Sequence, residues 1–364
     1  MISLIPKRLR LEAGIYCLLS CLGAAAGGYL ISAEMGASCG WTWGILTSLV
    51  LGYQFTSLWL HLPDNHKTGQ VQPLPYLGAA NWITLLRGGL LAGLAGFLLM
   101  PKPIGWLAWA PGSLYLVASL LDYLDGAVAR LRGESTALGE WLDMAWDGFG
   151  AAIACTLTVI YGQAPFWYLL VGAARYLYLL GLWWYQKRGR PLDPLAPDRV
   201  RRAMAGLQIG FIAAILLPVF PPLATSVAAT LFMVPFLAGF YRDWRQVTRQ
   251  KTLYSLRVPP VLSWFIRAVS VTISIISLVI QYRNLSSPSL FIMSIGTILI
   301  AMGVIPRIAA LMLLLHAGFI LQADISNPYA WAQAASMILL LYTGTGKYSL
   351  WTPENWILEN RIGD

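Results

Sequence analysis

Long apolar runs separated by short polar segments dominate the chain. Each run approaches the roughly 20 residues that a membrane-spanning helix requires, and none shows the strict alternation of a half-buried strand. Backbone in lipid must satisfy its own hydrogen bonds, which favours helices over open strands. The pattern therefore predicts an all-α polytopic membrane protein with about twelve transmembrane helices. The runs lie at 14–33, 41–60, 82–100, 107–124, 141–162, 167–185, 201–217, 221–241, 259–281, 287–304, 307–322 and 328–343.

The composition supports a membrane protein and excludes other classes. Hydrophobic residues make up 57% of the chain and charged residues only 11%, against about 25% charged in soluble domains. The formal net charge of +9 is the excess expected of cytoplasmic loops that face anionic lipid, so no nucleic-acid partner is expected. The four cysteines form no CxxC pair, and we expect neither a zinc site nor a disulfide framework.

Basic residues are concentrated in alternate loops. Loops 130–132, 187–202 and 242–257 carry most of them, and cytoplasmic loops are the ones enriched in Lys and Arg. We therefore expect a multi-pass protein of the cell (inner) membrane, surrounded by membrane lipids, with both termini in the cytoplasm.

Two long polar loops, 61–80 and 242–258, divide the chain. They predict a two-span extension at 1–75, a six-span region at 76–250 and a four-span region at 251–364. The segment from Gly344 to Leu350, GTGKYSL, resembles the last segment of DoxX-like four-helix membrane proteins. We interpret both terminal regions as packing or dimerising modules.

Acidic residues cluster in one short stretch. Six of the sixteen lie between residues 122 and 147. Asp122 and Asp125 are three apart at the end of one run, and Asp143 and Asp147 are four apart at the start of the next. Both spacings place two carboxylates on one helix face. The short connection contains Gly133, so we expect a hairpin in which the two faces converge.

Four convergent carboxylates repel one another unless cations neutralise them. Hard divalent cations with oxygen ligands suit such a site, and a pair of them suits phosphoryl transfer. We therefore expect two Mg²⁺ or Mn²⁺ ions. Gly126, Ala129 and Gly139 remove side-chain bulk where a ligand could approach, and Arg130 either pairs with an aspartate or binds a phosphate.

These residues carry a family resemblance. Asp122-x-x-Asp125-Gly126-x-x-Ala129-Arg130, then eight residues, then Gly139-x-x-x-Asp143-x-x-x-Asp147 resembles the signature of the CDP-alcohol phosphotransferases (phosphatidyltransferases) at every position. The resemblance implies a six-helix membrane bundle, a homodimer, and a two-metal site open to the cytoplasm.

The resemblance also implies roles for the signature residues. Asp122, Asp125 and Asp143 would be metal ligands, and Asp147 would be both a ligand and the base for the acceptor alcohol. Four further residues would line the CDP-binding site: Gly126, Ala129, Arg130 and Gly139.

A second patch, Asn81-x-x-Thr84-x-x-Arg87, resembles the family's first helix and would contribute to CDP binding. Asn81 and Thr84 could instead cap that helix. Arg87 lies one turn deeper and could reach the phosphates.

The second substrate is less sharply indicated. Arg175, inside a span, and Arg202, where the next span begins, are candidates for binding an acceptor, although basic residues at 199–202 also suit a topological role. The leading hypothesis is phosphatidyl transfer from CDP-diacylglycerol to an alcohol, with release of CMP. Residues 135–140 are similar to choline and ethanolamine phosphotransferases, which leaves CDP-aminoalcohol transfer to diacylglycerol as an alternative. A cation transporter that uses the aspartates is the alternative from another class.

Overall fold

The structure is a computed structural model, and it describes residues 5–67, 70, 72–133, 135–195, 198–248, 260–282, 286–344 and 349–352. In these ranges the chain forms α-helices, three short 3-10 helices and two isolated β-bridges. The α-helices are α1 (Lys7–Met35), α2 (Ala37–His61), α3 (Ala79–Ala95), α4 (Ala110–Arg132), α5 (Ala137–Ile160), α6 (Leu169–Lys187), α7 (Arg199–Leu216), α8 (Pro222–Val247), α9 (Pro260–Gln281), α10 (Ser287–Met302), α11 (Pro306–Ala323) and α12 (Pro328–Thr343).

The prediction of an all-α polytopic membrane protein is confirmed. Seven helices of the described ranges are long and apolar enough to cross a membrane, namely α1, α2, α4, α6, α8, α9 and α11. Each predicted apolar run overlaps one observed helix. The predicted end of the fourth run at residue 124 is wrong, because α4 continues to Arg132 through the acidic motif.

The first compact unit contains the described residues up to Tyr161 together with Ile212–Pro218. Helix α3 is its most enclosed element, since it packs against α1, α2, α4 and α5. Its sequence, AANWITLLRGGLLAGLA, is rich in Gly and Ala. Small residues let neighbouring helix backbones approach closely in a membrane, which explains how α3 accommodates four neighbours.

The connection between α4 and α5 forms the predicted hairpin. Gly133 ends α4 with φ of 58°, in the left-handed region that glycine adopts without a steric penalty. Thr136 is the N-cap of α5, and its hydroxyl accepts a hydrogen bond from the Gly139 amide at 3.1 Å. The local sequence thus supplies both the residue that ends α4 and the residue that caps the start of α5.

The second compact unit contains described residues from Gly162 to Phe211 and from Val219 onward. Here α8 packs against α6 and α11, and α12 packs against α9 and α11. One face of α9 carries a buried polar stripe that packs toward α12, where Ser270 lies 3.3 Å from the Ser336 carbonyl and Ser277 lies 3.2 Å from Gln333. Such hydrogen bonds between helices help to hold membrane bundles together.

The predicted domain limits stay predictions. The boundary at 250/251 lies outside the described residues, as do residues 345–348 of the segment that resembles DoxX-like proteins.

Gly318 of α11 lies directly against the backbone of Ala224 in α8, and a Cβ at this position would collide with the Ala224 carbonyl oxygen. We expect Gly318→Ala to destabilise the second unit by about 1–3 kcal/mol, because backbone atoms must shift to relieve the overlap. Thermal unfolding in detergent measures this effect. Gly239→Ala in α8 is the matched control: its Cβ would meet nothing within 4 Å, so an unchanged or higher midpoint is expected. Equal midpoints for Gly318→Ala and the wild type would contradict the close approach.

Candidate active site

The guanidinium of Arg87 contacts all four aspartates of the acidic motif. Its Nη1 donates to Asp122 and, at 2.9 Å, to Asp143 Oδ1, and it lies 3.6 Å from Asp125 Oδ2. Its Nη2 donates to Asp147 Oδ1 at 3.2 Å. The Arg87 side chain is only 2% exposed. One buried cation on α3 therefore connects the two acidic helices, α4 and α5.

The aspartates divide into a group of three and a single one. Asp122, Asp143 and Asp147 each offer an oxygen within 4.8 Å of the others, a spacing that suits a shared metal ion. Asp125 is buried and accepts a hydrogen bond from the Thr84 hydroxyl at 2.8 Å. Asp125 is therefore held by α3, whereas the other three carboxylates are partly exposed.

The charge balance of this cluster favours additional cations. All four carboxylates pair with the Arg87 guanidinium, whose single positive charge does not neutralise four ionised aspartates. Carboxylate oxygens are the donors that Mg²⁺ and Mn²⁺ prefer. The residues present therefore fit divalent cations in their chemistry and in the spacing of three of the four oxygens.

The four aspartates lie within α4 and α5, more than one helical turn from the helix ends that form the hairpin connection. Helix α4 continues for seven residues beyond Asp125, and α5 begins six residues before Asp143. At about 1.5 Å per residue, Asp125 and Asp143 are roughly 10 Å from these helix ends, and Asp122 and Asp147 are roughly 15 Å from them. The acids therefore belong to helix interiors and not to the exposed ends where aspartates commonly serve as caps.

Asn81 lies in a separate polar contact at the start of α3. Its Nδ2 is 2.7 Å from the Leu77 carbonyl, 2.9 Å from Asn65 Oδ1 and 3.1 Å from Thr136 Oγ1. A Cβ on Gly139 would lie 2.6 Å from Asn81 Oδ1, which explains why a residue without a side chain occupies this position.

The capping alternative for Asn81 and Thr84 is wrong. The N-cap residue of α3 is Gly78, which has no side chain and therefore cannot form a side-chain cap. Both polar side chains instead reach other segments of the chain, Asn81 toward residues 65 and 136 and Thr84 toward Asp125. The reason is tertiary packing, which the sequence pattern of the helix start does not report.

The other predicted residues lie in two places. Gly126, Ala129 and Arg130 belong to α4, and a Cβ on Gly126 would be 3.2 Å from Arg130 Nη1. The guanidinium of Arg130 therefore folds back along its own helix. Arg175 and Arg202 belong to α6 and α7 in the second unit, and their acceptor role stays a prediction.

Sequence reasoning missed four residues that surround α3. Tyr16 and Gln54 hydrogen-bond the Leu85 carbonyl, and Asn65 and Thr136 contact Asn81. Gln54 carried a signal that could have identified it, because an amide inside an apolar span requires a partner. The other three carried no comparable signal.

One protein family matches the part of the chain that contains the acidic cluster. Residues 77–240 match the family model of the CDP-alcohol phosphatidyltransferases. This region of the chain belongs to that family. No curated protein and no solved structure matches the chain. The CDP-alcohol phosphatidyltransferases are enzymes that transfer a phosphatidyl group from a CDP-alcohol donor.

The CDP-alcohol phosphatidyltransferase region comprises α3 to α7 and most of α8. It contains Arg87 and all four aspartates of the cluster. Helices α1 and α2 precede it, and α9 to α12 follow it.

Removal of the Arg87 guanidinium should destabilise the protein, and the size of the effect should depend on whether metal is present. We expect Arg87→Met to lower stability in EDTA by up to about 3 kcal/mol, the low end for a broken buried ion pair, because three of the carboxylates are partly exposed. Added Mg²⁺ or Mn²⁺ should recover part of the loss by neutralising the carboxylates. Thermal unfolding in detergent with and without metal measures both effects.

Arg132→Met is the control for this measurement, since Arg132 is an exposed arginine at the end of α4, away from the aspartates. Its unfolding midpoint should match the wild type in both conditions. An Arg87→Met protein as stable in EDTA as the wild type would show that Arg87 does not neutralise the cluster.

Proposed function

We propose that the protein is an integral membrane transferase that moves a phosphatidyl group from CDP-diacylglycerol to an alcohol acceptor in phospholipid synthesis. The observation that carries the proposal is the convergence of Asp122, Asp125, Asp143 and Asp147 on one buried guanidinium. The family match supports the CDP-alcohol donor class. We place the active site on the cytoplasmic side of the cell (inner) membrane in a homodimer with cytoplasmic termini.

The proposed chemistry is a displacement at the phosphorus on the lipid side of the diphosphate. The acceptor oxygen forms the new bond to phosphorus, the bond to the bridging oxygen breaks, and CMP leaves. Two divalent cations, Mg²⁺ or Mn²⁺, would be held by the four aspartates and would neutralise phosphate oxygens when bound. The proton of the acceptor hydroxyl passes to the Asp147 carboxylate, which is 35% exposed and can be reached by a second substrate.

The remaining signature residues have proposed roles around the donor. Gly126, Ala129 and Gly139 leave room for the cytidine diphosphate moiety, with Arg130 beside its phosphates. Further CDP contacts are assigned to Asn81, Thr84 and Arg87. Arg87 pairs with the carboxylates in the structure, and bound cations would weaken those pairs and free its guanidinium for a phosphate oxygen.

A donor assay tests the reaction class. Purified protein with Mn²⁺ or Mg²⁺ receives CDP-diacylglycerol or a CDP-aminoalcohol, each with a panel of acceptors, and CMP release is followed. CMP release with CDP-diacylglycerol supports the proposal, whereas release with CDP-aminoalcohol and diacylglycerol alone favours the alternative transferase. Metal-dependent ion flux in vesicles without CMP release would favour a cation transporter.

Asp147→Asn should reduce CMP release by at least about 100-fold, the lower bound for loss of a positioned general base. The amide has nearly the same size as the carboxylate but cannot take up the proton. Glu140→Gln is the matched control, because Glu140 is an exposed acid on the same helix and does not belong to the carboxylate group. A near-normal rate for Asp147→Asn would remove Asp147 from the mechanism.

A further inference from the structure

The two helices that precede the family region contact α3 directly beside its active-site residues. The Leu85 carbonyl accepts hydrogen bonds from Tyr16 Oη at 2.7 Å and from Gln54 Nε2 at 2.9 Å. Tyr16 Oη also lies 3.0 Å from Gln54 Oε1. Leu85 is two residues before Arg87, so α1 and α2 hold the backbone turn that carries the central guanidinium.

Helix α2 also meets α3 and α5 at one point. A Cβ on Gly88 would collide with the Gln54 amide and would lie 2.8 Å from the Trp146 ring. The missing side chain at Gly88 therefore lets both Gln54 and Trp146 approach the α3 backbone at this residue. Trp146 directly precedes Asp147, and Tyr53 of α2 makes an edge contact with its ring at 6.3 Å.

A second contact with α5 lies one and a half turns nearer its start. The His61 ring, at the end of α2, stacks on Trp141 with a centroid distance of 4.1 Å and an interplanar angle of 18°. Trp141 is two residues before Asp143. Helix α2 therefore touches α5 beside each of its two active-site aspartates.

From these contacts we propose that α1 and α2 form a clamp that sets the distance between Arg87 on α3 and the aspartates Asp143 and Asp147 on α5. Gln54 is the positioning residue of this clamp, because its side-chain amide contacts α1 and the α3 backbone at the point where Trp146 of α5 also meets α3. Gln54 is fully buried. A site of this kind requires its ligands to be held within about 0.5 Å, so a displaced supporting helix weakens cation binding.

The role of the clamp in catalysis rests on the proposed function, but its effect on cation binding does not. The first test therefore measures Mn²⁺ binding to the full-length protein in detergent by electron paramagnetic resonance. Gln54→Leu keeps the side-chain volume and removes both polar atoms. We expect it to bind Mn²⁺ about 10-fold more weakly than the wild type, the lower end of the range for residues that support metal ligands.

Tyr16→Phe provides a second variant that keeps the ring contacts with Phe55 and Trp82 and loses only the hydroxyl. It should shift the Mn²⁺ titration in the same direction by a smaller factor, because Gln54 still holds the Leu85 carbonyl. This variant carries the test if Gln54→Leu fails to fold.

Thr47→Val is the matched control. Thr47 is a buried polar residue on the same helix, and its hydroxyl has no hydrogen-bond partner among the described residues. The substitution keeps the shape of the side chain, so the Mn²⁺ titration should match the wild type. A general loss of packing in α2 would instead weaken Mn²⁺ binding equally in Gln54→Leu and Thr47→Val.

The same proteins are then compared for the metal concentration that half-saturates CMP release. A shifted Mn²⁺ titration in Gln54→Leu, with Thr47→Val unchanged, supports the clamp even if no donor yields CMP, in which case only the proposed function fails. Wild-type Mn²⁺ affinity in both Gln54→Leu and Tyr16→Phe would overturn the clamp, whether or not CMP is released.

Discussion

The ion pairs between Arg87 and four aspartates are the interaction on which this site depends. Carboxylates buried in a membrane protein are costly, and removing one partner from a buried cluster leaves an uncompensated charge. Arg87 reduces this cost and at the same time connects three helices, because it extends from α3 while its partners lie on α4 and α5. The negative charge that Arg87 leaves uncompensated is the reason why we propose divalent cations at this site.

Helix α3 can serve this purpose because it presents different groups to different neighbours. Thr84 and Arg87 face the aspartates, whereas the Leu85 carbonyl and Gly88 face the two preceding helices.

The family region does not coincide with a compact unit. Its first three helices share a unit with α1 and α2, and α6, most of α7 and α8 share a unit with α9 to α12.

The acidic hairpin could be predicted because its determinants are local. Helix periodicity places Asp122 with Asp125 and Asp143 with Asp147, and Gly133 permits the sharp connection between them. The apolar runs predicted the helices for a similar reason, since lipid leaves the backbone no other way to satisfy its hydrogen bonds. Hydropathy does not locate the end of α4, because the acidic motif lowers hydropathy without ending the helix.

The partners of α3 could not be predicted in the same way. Asn81 and Thr84 had the spacing of helix caps, yet their hydrogen bonds reach Thr136 and Asp125, 55 and 41 residues further along the chain. Taken alone, the amino-acid sequence determined the helices, the membrane environment, the aspartate spacing and the chemistry that such carboxylates support, because these follow from short-range periodicity and residue type. Only the tertiary structure decided that Arg87 stands among the aspartates and that Gln54 and Tyr16 support it, because contacts between distant helices depend on how whole helix surfaces fit together.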